Sequence, residues 1–357
     1  MSALQRLGWS EFFQQQVAFD CADRLQLVRV VAEQRGLYAV SGEFNGWAEI
    51  GGRFRHEATS EARYPAVGDW LEVAAPPGAG RGVVHRRLDR RSVLSRSAAG
   101  RAAVEQVVAA NVDTVFLVSA FPHDVNANRL ERYLTMVWDG GGVPVVLLSK
   151  ADLCEDAAEQ ATLLRGRLRF VDVVLVSAKA PDGLHALTPY LRPGHTIALL
   201  GSSGAGKSTM INRLLGRDAL STQAVRAADG RGRHTTTSRQ LLEMPGGALL
   251  IDTPGMRELQ PWGDESAVDR TFDDIAQLAR HCRFTDCAHA AEPGCAVREA
   301  VTTGTLARER LVHYQRLVRE AAFEAGKRDV HVALERKRRW KQVHQHQKEL
   351  YRRREKP

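Results

Sequence analysis

The chain has 357 residues, 44% of them hydrophobic and 26% charged, which excludes wholesale disorder, collagen-like repetition and a small disulfide-stapled scaffold. No apolar run approaches the roughly 18 residues of a membrane span, and the N-terminal stretch lacks a basic start followed by an apolar segment. Neither a membrane protein nor a secretory signal is therefore expected, and a cytoplasmic protein is. The formal net charge of +8 sits in one place: residues Lys327 to Pro357 hold 12 Lys and Arg against 4 Asp and Glu, and the rest of the chain is balanced.

Residues 1–35 read as an N-terminal extension, in which Asp23–Gln34 fits either a strand or a short helix. From 36 to 100 apolar and polar residues alternate, with glycine at the turns. That pattern predicts short antiparallel strands, among them Trp70–Val73 and Gly82–His85, closing a small β-barrel. Arg81, Arg86, Arg87, Arg90, Arg91 and Arg96 follow closely and either line a nucleic-acid face or keep the barrel rim soluble. Residues 101–262 change style. The runs Asp113–Ala120, Val143–Ser149, Val171–Ser177, His195–Leu200 and Ala248–Ile251 are apolar and rich in β-branched residues. Helix-like stretches such as Ala127–Val137 and Ala157–Leu168 lie between several of them, which predicts a parallel sheet with helices on both faces. Residues 263–326 read as helical around a cysteine-rich stretch. Residues 327–357 form a basic tail, either a solvated surface helix or a segment that attracts polyanions by counterion release.

Gly201-Ser202-Ser203-Gly204-Ala205-Gly206-Lys207-Ser208 fits G-x-x-x-x-G-K-[ST], after a strand-like run and before the helix-like run that Thr209 begins. Such a loop turns backbone N–H groups inward around phosphates, and the helix N-terminus adds a favourable dipole. Lys207 is expected to neutralise the β and γ phosphates, and Ser208 to hold Mg²⁺. Asp252 ends the next apolar strand as the start of D-x-x-G. Its carboxylate is placed to hold Mg²⁺, usually through water, and the Gly255 N–H to contact the γ phosphate.

Ser149-Lys150-Ala151-Asp152 and Ser177-Ala178-Lys179 each follow an apolar strand and look like the guanine-reading N-K-x-D and S-A-K motifs. A carboxylate at 152 accepts from guanine N1–H and the N2 amine, which adenine cannot supply. The Lys150 stem is expected over the base and the Ala178 N–H on guanine O6. Ser149 stands where Asn is usual, and a hydroxyl replaces only part of the carboxamide's bonding. In ordinary GTPases the phosphate loop comes first. Here the base-reading motifs precede it, the order of a circularly permuted GTPase.

Together with Arg231-Gly-Arg-His234-Thr235-Thr236-Thr237, the cysteine cluster, the small β domain and Asn111-Val-Asp113-Thr, this layout resembles the ribosome small-subunit-dependent GTPase A family (RsgA, also called YjeQ) over about residues 36–320. The resemblance implies an OB-fold barrel, a permuted α/β P-loop GTPase domain and an α-helical zinc-binding C-terminal domain. It also implies late maturation of the small ribosomal subunit, contact with its rRNA, and GTP hydrolysis stimulated by that subunit. A Thr hydroxyl on Mg²⁺ senses the γ phosphate. Position favours Thr236 for this, with Thr235 and Thr237 as alternatives. Met256 follows Gly255, where Ras-like enzymes place a water-orienting Gln, and a thioether cannot orient water. His234 is the nearest candidate and the one the family points to; a solvent-exposed or RNA-contacting histidine is the other reading.

Cys282, Cys287, His289 and Cys295 supply three sulfurs and one imidazole, a complete tetrahedral set for one structural Zn²⁺, with His281 a weaker alternative ligand. Cys21 and Cys154 read as structural. A monomer is expected. Two other functions compete: an RNA-binding module whose GTP site is a passive clamp, favoured by Ser149 and Met256, and a P-loop ATPase or kinase.

Overall fold

The computed structural model describes residues 2–17, 25–34, 36–57, 64–76, 78–97, 105–216, 239–252 and 265–328. Cys21, His234, Thr235, Thr236, Thr237, Gly255, Met256 and the tail beyond Arg328 lie outside the described residues. The chain divides into two units, Met1–Ala98 with Val104–Gln260, and Ala99–Ala103 with Pro261–Pro357.

In the first unit, the short helices α1 (Ala3–Arg6) and α2 (Glu11–Gln14) precede β1 (Gln26–Gln34), β2 (Leu37–Gly42) and β3 (Gly46–Ile50). Helix α3 (Gly52–Glu57), β4 (Trp70–Ala74) and β5 (Arg81–Arg87) follow. Strand β1 pairs antiparallel with both β2 and β4, and β3 pairs parallel with β5, so the five strands close a barrel around Val28, Val30, Val40, Leu71 and Val73. Two expectations change. The barrel begins upstream of residue 36, because β1 is one of its strands, and one of its pairs is parallel. Alternation fails as a signal in β1 because Val28, Arg29 and Val30 are all buried.

The arginine row is also not a free basic face. Arg86 holds Glu72 with two bonds of 2.9 and 2.7 Å, Arg90 holds the fully buried Asp69 with 2.8 and 2.7 Å, Arg87 lies 4.0 Å from Asp69, and Arg91 pairs with Asp113. Four of the six arginines thus neutralise carboxylates of the same unit.

A hairpin, β6 (Val93–Ser97) and β7 (Glu105–Ala110), leads into β8 (Thr114–Ala120), α4 (Ala127–Asp139), β9 (Val143–Ser149), α5 (Ala157–Arg167) and β10 (Asp172–Leu175). Then come β11 (Thr196–Gly201), α6 (Lys207–Leu215), β12 (Gln240–Glu243) and β13 (Leu249–Asp252). The order across the sheet is β10-β9-β8-β11-β13-β12, all parallel except β12, which also touches β1 of the barrel through Ala32 and Gln240. Every residue of β8 is buried, as continuous apolar strands covered on both faces must be.

Arg29 joins barrel and sheet. Its guanidinium donates to Leu7 O (2.6 Å), Gly68 O (3.0 Å), Asn111 O (3.0 Å) and Thr196 Oγ1 (2.9 Å), the last on the first residue of β11. Burial, followed by the nearby Arg91 charge, lowers its pKa to about 9, so it stays charged at neutral pH.

The second unit contains α7 (Glu265–Thr271), α8 (Asp273–Ala279), α9 (Ala296–Thr302) and α10 (Arg308–Arg328). They pack around Val268, Phe272, Ile275, Val297 and Leu317, with Arg310 held on Asp274 by bonds of 2.6 and 2.8 Å. Among the described residues no helix is long and apolar enough to cross a membrane.

Removing the Arg29 guanidinium leaves three carbonyls and a hydroxyl without that donor. Arg29→Met is expected to lower the unfolding free energy of the first unit by about 3–5 kcal/mol. Urea denaturation followed by tryptophan fluorescence measures this, and a loss below about 1 kcal/mol, the size of an ordinary surface change, contradicts the junction role.

Candidate nucleotide site and metal centre

The parallel strands end along one edge of the sheet. The chain runs outward from β8 through β9 to β10, then returns to the other side of β8 as β11. In open α/β sheets such a reversal opens a crevice at the carboxyl ends of the strands. The motif loops after β9, β10 and β11 leave the sheet at this edge, and Asp252 ends β13 there.

Gly201, the last residue of β11, lies so close to β8 that a Cβ there would stand 2.1 Å from the Val118 carbonyl oxygen. Any side chain would push the loop off the sheet. Gly206, at φ 88°, then turns the chain into α6, whose first residues are Lys207, Ser208 and Thr209. The N–H groups of that first turn have no partners within the helix and carry its positive end. Lys207 Nζ donates to Gly201 O (2.7 Å) and Ser202 O (2.6 Å), which holds the ammonium within its own loop.

Ser149 is buried at the end of β9, and its hydroxyl donates to Ala205 O at 2.6 Å. The residue that departs from the usual Asn thus ties its loop to the phosphate loop. Lys150, at φ 56°, starts the short 3₁₀ turn Ala151–Leu153, which leaves Asp152 exposed. The Ala151 N–H donates to Val176 O (3.2 Å), which joins this turn to the end of the neighbouring strand. Ser177 shapes the next loop: its Oγ accepts from the Lys179 and Ala180 N–H groups at 3.3 Å each, and its own N–H donates to Gly183 O at 3.0 Å. A Cβ on Gly183 would stand 2.0 Å from Ser177 O. Arg213 of α6 donates to Ala178 O (2.9 Å) and to Pro181 O, so the phosphate helix holds that loop too.

Asp252 ends β13. Burial pushes its pKa up, and the Lys207 charge works against that rise. Its carboxylate and the Ser208 hydroxyl are hard oxygen donors of the kind that suit Mg²⁺. The sequence reading missed Gly183 and Arg213, and also Asp124 and Arg129 beside Ser202. The available signal for Asp124 is positional: it lies just past the end of β8, as the motif loops lie past theirs.

In the second unit the ligand atoms of Cys282, Cys287, His289 and Cys295 all lie within 4.8 Å of one another. Cys282 Sγ is 3.7 Å from His289 Nδ1 and 3.8 Å from Cys295 Sγ, and His289 Nδ1 is 3.4 Å from Cys295 Sγ. Bonds of about 2.3 Å to sulfur and 2.0 Å to nitrogen in a tetrahedron place ligand atoms roughly 3.5–3.8 Å apart. The four residues therefore fit a zinc ion, and His281 is not in the group. Burial lowers the His289 pKa, which favours the neutral imidazole that a ligand needs. Glu292 braces the ligand loop by accepting the N–H groups of Ala288, Ala290 and Ala291 at 2.8–3.2 Å, and Gln315 of α10 donates to His289 O at 2.9 Å.

A family model described as RsgA GTPase matches residues 87–262. A small ribosomal subunit biogenesis GTPase RsgA from Opitutus terrae is 46% identical over 357 residues, covering 97% of each chain. The chain belongs to the RsgA GTPase family. Its structure is similar to that of YjeQ from Thermotoga maritima, with a TM-score of 0.62 and 27% identity over 83% of this chain and 98% of that one. It is equally similar to YloQ, described as a circularly permuted GTPase, with a TM-score of 0.62 and 25% identity over 85% and 98% of the two chains. This RsgA-family member is a GTP-hydrolysing enzyme in which the order S-K-A-D, S-A-K, phosphate loop, D-x-x-G is the permuted one.

The Cys3His geometry has a direct consequence. Metal analysis is expected to find about one zinc per chain, and Cys287→Ser is expected to lose most of it and to abolish the cooperative melting of the C-terminal unit while GDP binding persists. A fully folded wild-type protein free of zinc contradicts this.

Proposed function

We propose that this chain is a GTP hydrolase that acts in late maturation of the small ribosomal subunit, contacts its rRNA and is stimulated by it. The observation that carries the reading is the meeting, at one sheet edge, of the loops after β9, β10 and β11, tied together through Ser149, Ala151 and Arg213, with Asp252 ending β13 at the same edge. The relatives named for small-subunit biogenesis supply the partner. The chain is read as a cytoplasmic monomer. Its basic tail from Lys327 supplies an electrostatic contact for rRNA, because each phosphate it meets releases counterions.

Gly201–Ser208 with Thr209 cradle the phosphates, and Lys207 moves from its loop carbonyls to the β and γ oxygens. Ser149, Lys150, Ala151 and Asp152 with Ser177, Ala178 and Lys179 take the guanine, Asp152 accepting from N1–H and the N2 amine. Ser208, Asp252 and Thr236 are the residues for Mg²⁺, which when bound offsets charge on the phosphate oxygens. Gly255 is placed by sequence on the γ phosphate. His234 orients the attacking water, the role that Met256 cannot fill, and the subunit raises the rate by holding the switch segment closed, a gain in positioning. The zinc set stabilises the C-terminal unit.

The passive-clamp alternative keeps binding and loses hydrolysis. His234→Ala is expected to leave GTP affinity within about twofold while lowering subunit-stimulated turnover at least about a hundredfold, the pattern of an interaction made mainly in the transition state. Phosphate release with purified small subunits reads this, and wild-type turnover in the variant contradicts the role. At the base, Asp152→Asn is expected to shift preference from GTP towards xanthosine triphosphate, whose changed edge matches the amide. Unchanged preference in competition binding contradicts the guanine assignment.

A further inference from the structure

The phosphate loop is held from a side that none of its motifs accounts for. Asp124 lies on the loop after β8, and its Oδ2 accepts the Ser202 hydroxyl proton and, at 3.3 Å, the Ala120 N–H. Its Oδ1 accepts from Arg129 Nη2 at 2.7 Å. Arg129, in the first turn of α4, also donates to the Asp124 carbonyl and, at 3.3 Å, to Ser119 Oγ, whose own hydroxyl donates to Asp124 O at 2.6 Å. The bend is closed on itself, so the carboxylate is fixed before it meets Ser202. An ionised acceptor also makes the stronger class of hydrogen bond.

Ser202 is the residue after Gly201, and its carbonyl is one of the two oxygens that hold Lys207 Nζ. The chain of contacts therefore runs from Arg129 through Asp124 and Ser202 to the lysine expected at the phosphates. The loop's first residue is pinned by its approach to Val118 and its fifth by Ser149, and Asp124 holds the point between them. Arg129 balances the carboxylate, which limits the field that Asp124 imposes on an incoming anion.

We propose that Asp124 is a positioning residue for the phosphate loop: braced by Arg129, it holds Ser202 so that the loop stands in its phosphate-binding shape before nucleotide arrives. This rests on the reading of Gly201–Ser208 as the phosphate cradle. Preorganisation reduces the cost of binding and does so alike for any nucleotide that uses the same loop. GTP and GDP should therefore be affected equally, and neither base choice nor the chemical step should change.

The test is calorimetric or fluorescent titration of the full-length zinc-loaded protein with GTP, GDP and xanthosine triphosphate, alongside subunit-stimulated turnover. Asp124→Ala is expected to raise the Kd of GTP and GDP by the same factor, about tenfold for loss of one charge-assisted bond. The ratio of GTP to xanthosine triphosphate affinity and the kcat at saturating GTP are expected within about twofold of wild type. Ser202→Ala should produce the same rise, and the double variant should be no weaker than either single one, because the two changes remove one interaction. Asp124→Asn, which keeps an acceptor for the hydroxyl, should recover most of the affinity. Ser202→Ala removes a single oxygen, so it decides the matter even if Asp124→Ala folds poorly. Unchanged Kd in Ser202→Ala, or effects that add in the double variant, overturns the proposal. Lys207→Ala is the control: if it binds like wild type, the cradle reading itself fails and this inference with it, whereas a damaged Lys207→Ala beside an unaffected Ser202→Ala removes only the role of Asp124.

Discussion

The architecture of the candidate site depends on one close approach, that of β11 to β8 at Gly201. Backbone meets backbone there, with the Val118 carbonyl in the space a side chain would need. Because the loop begins flush against β8, its later residues come within reach of Ser149 on β9 and Asp124 after β8. Hydrogen bonds of under 3 Å could not span these elements if the loop were displaced by the width of a methyl group. The crevice is thus a product of strand order and of one missing side chain.

Permutation leaves this packing untouched and changes what is attached to it. The base-side strands β9 and β10 are laid down first and the phosphate strand β11 is added beside β8 afterwards. Strand β12, which enters the sheet directly after residues 217–238, is hydrogen-bonded to β13 on one side and touches β1 of the barrel on the other. The strand carrying Asp252 is followed by the chain's passage to the zinc-ligand unit. The proposed switch residues are thus followed in the chain by a strand that touches the barrel, and Asp252 by the passage to the zinc-ligand unit.

Legibility in the sequence followed the range of the interactions involved. The phosphate loop, the buried strands and the Cys3His set are local. Their residues lie within a few turns of one another, and a strand covered on both faces is apolar without interruption. The first barrel strand was illegible as such because Arg29 in its middle is buried, and that burial makes sense only with Leu7, Gly68, Asn111 and Thr196 as acceptors, the last 167 positions away. The arginine row likewise needed Asp69, Glu72 and Asp113 in place before it could be read as internal ion pairs. Asp124 and Ser202 are 78 positions apart, and neither residue type announces the other. Ser149 was legible as a departure from Asn, but its bond to Ala205 was not, since that depends on how near β9 comes to the phosphate loop.

The central claim is that these convergent loops form a guanine-nucleotide site. Titration of the wild-type protein with GDP and with ADP, in the presence of Mg²⁺ and followed by calorimetry, tests it most directly. GDP is expected to bind at one site per chain, with ADP at least about a hundredfold weaker, because a site built to pair a polar edge rejects a base that lacks it. Equal affinity for the two nucleotides, or no saturable binding of GDP, contradicts the account.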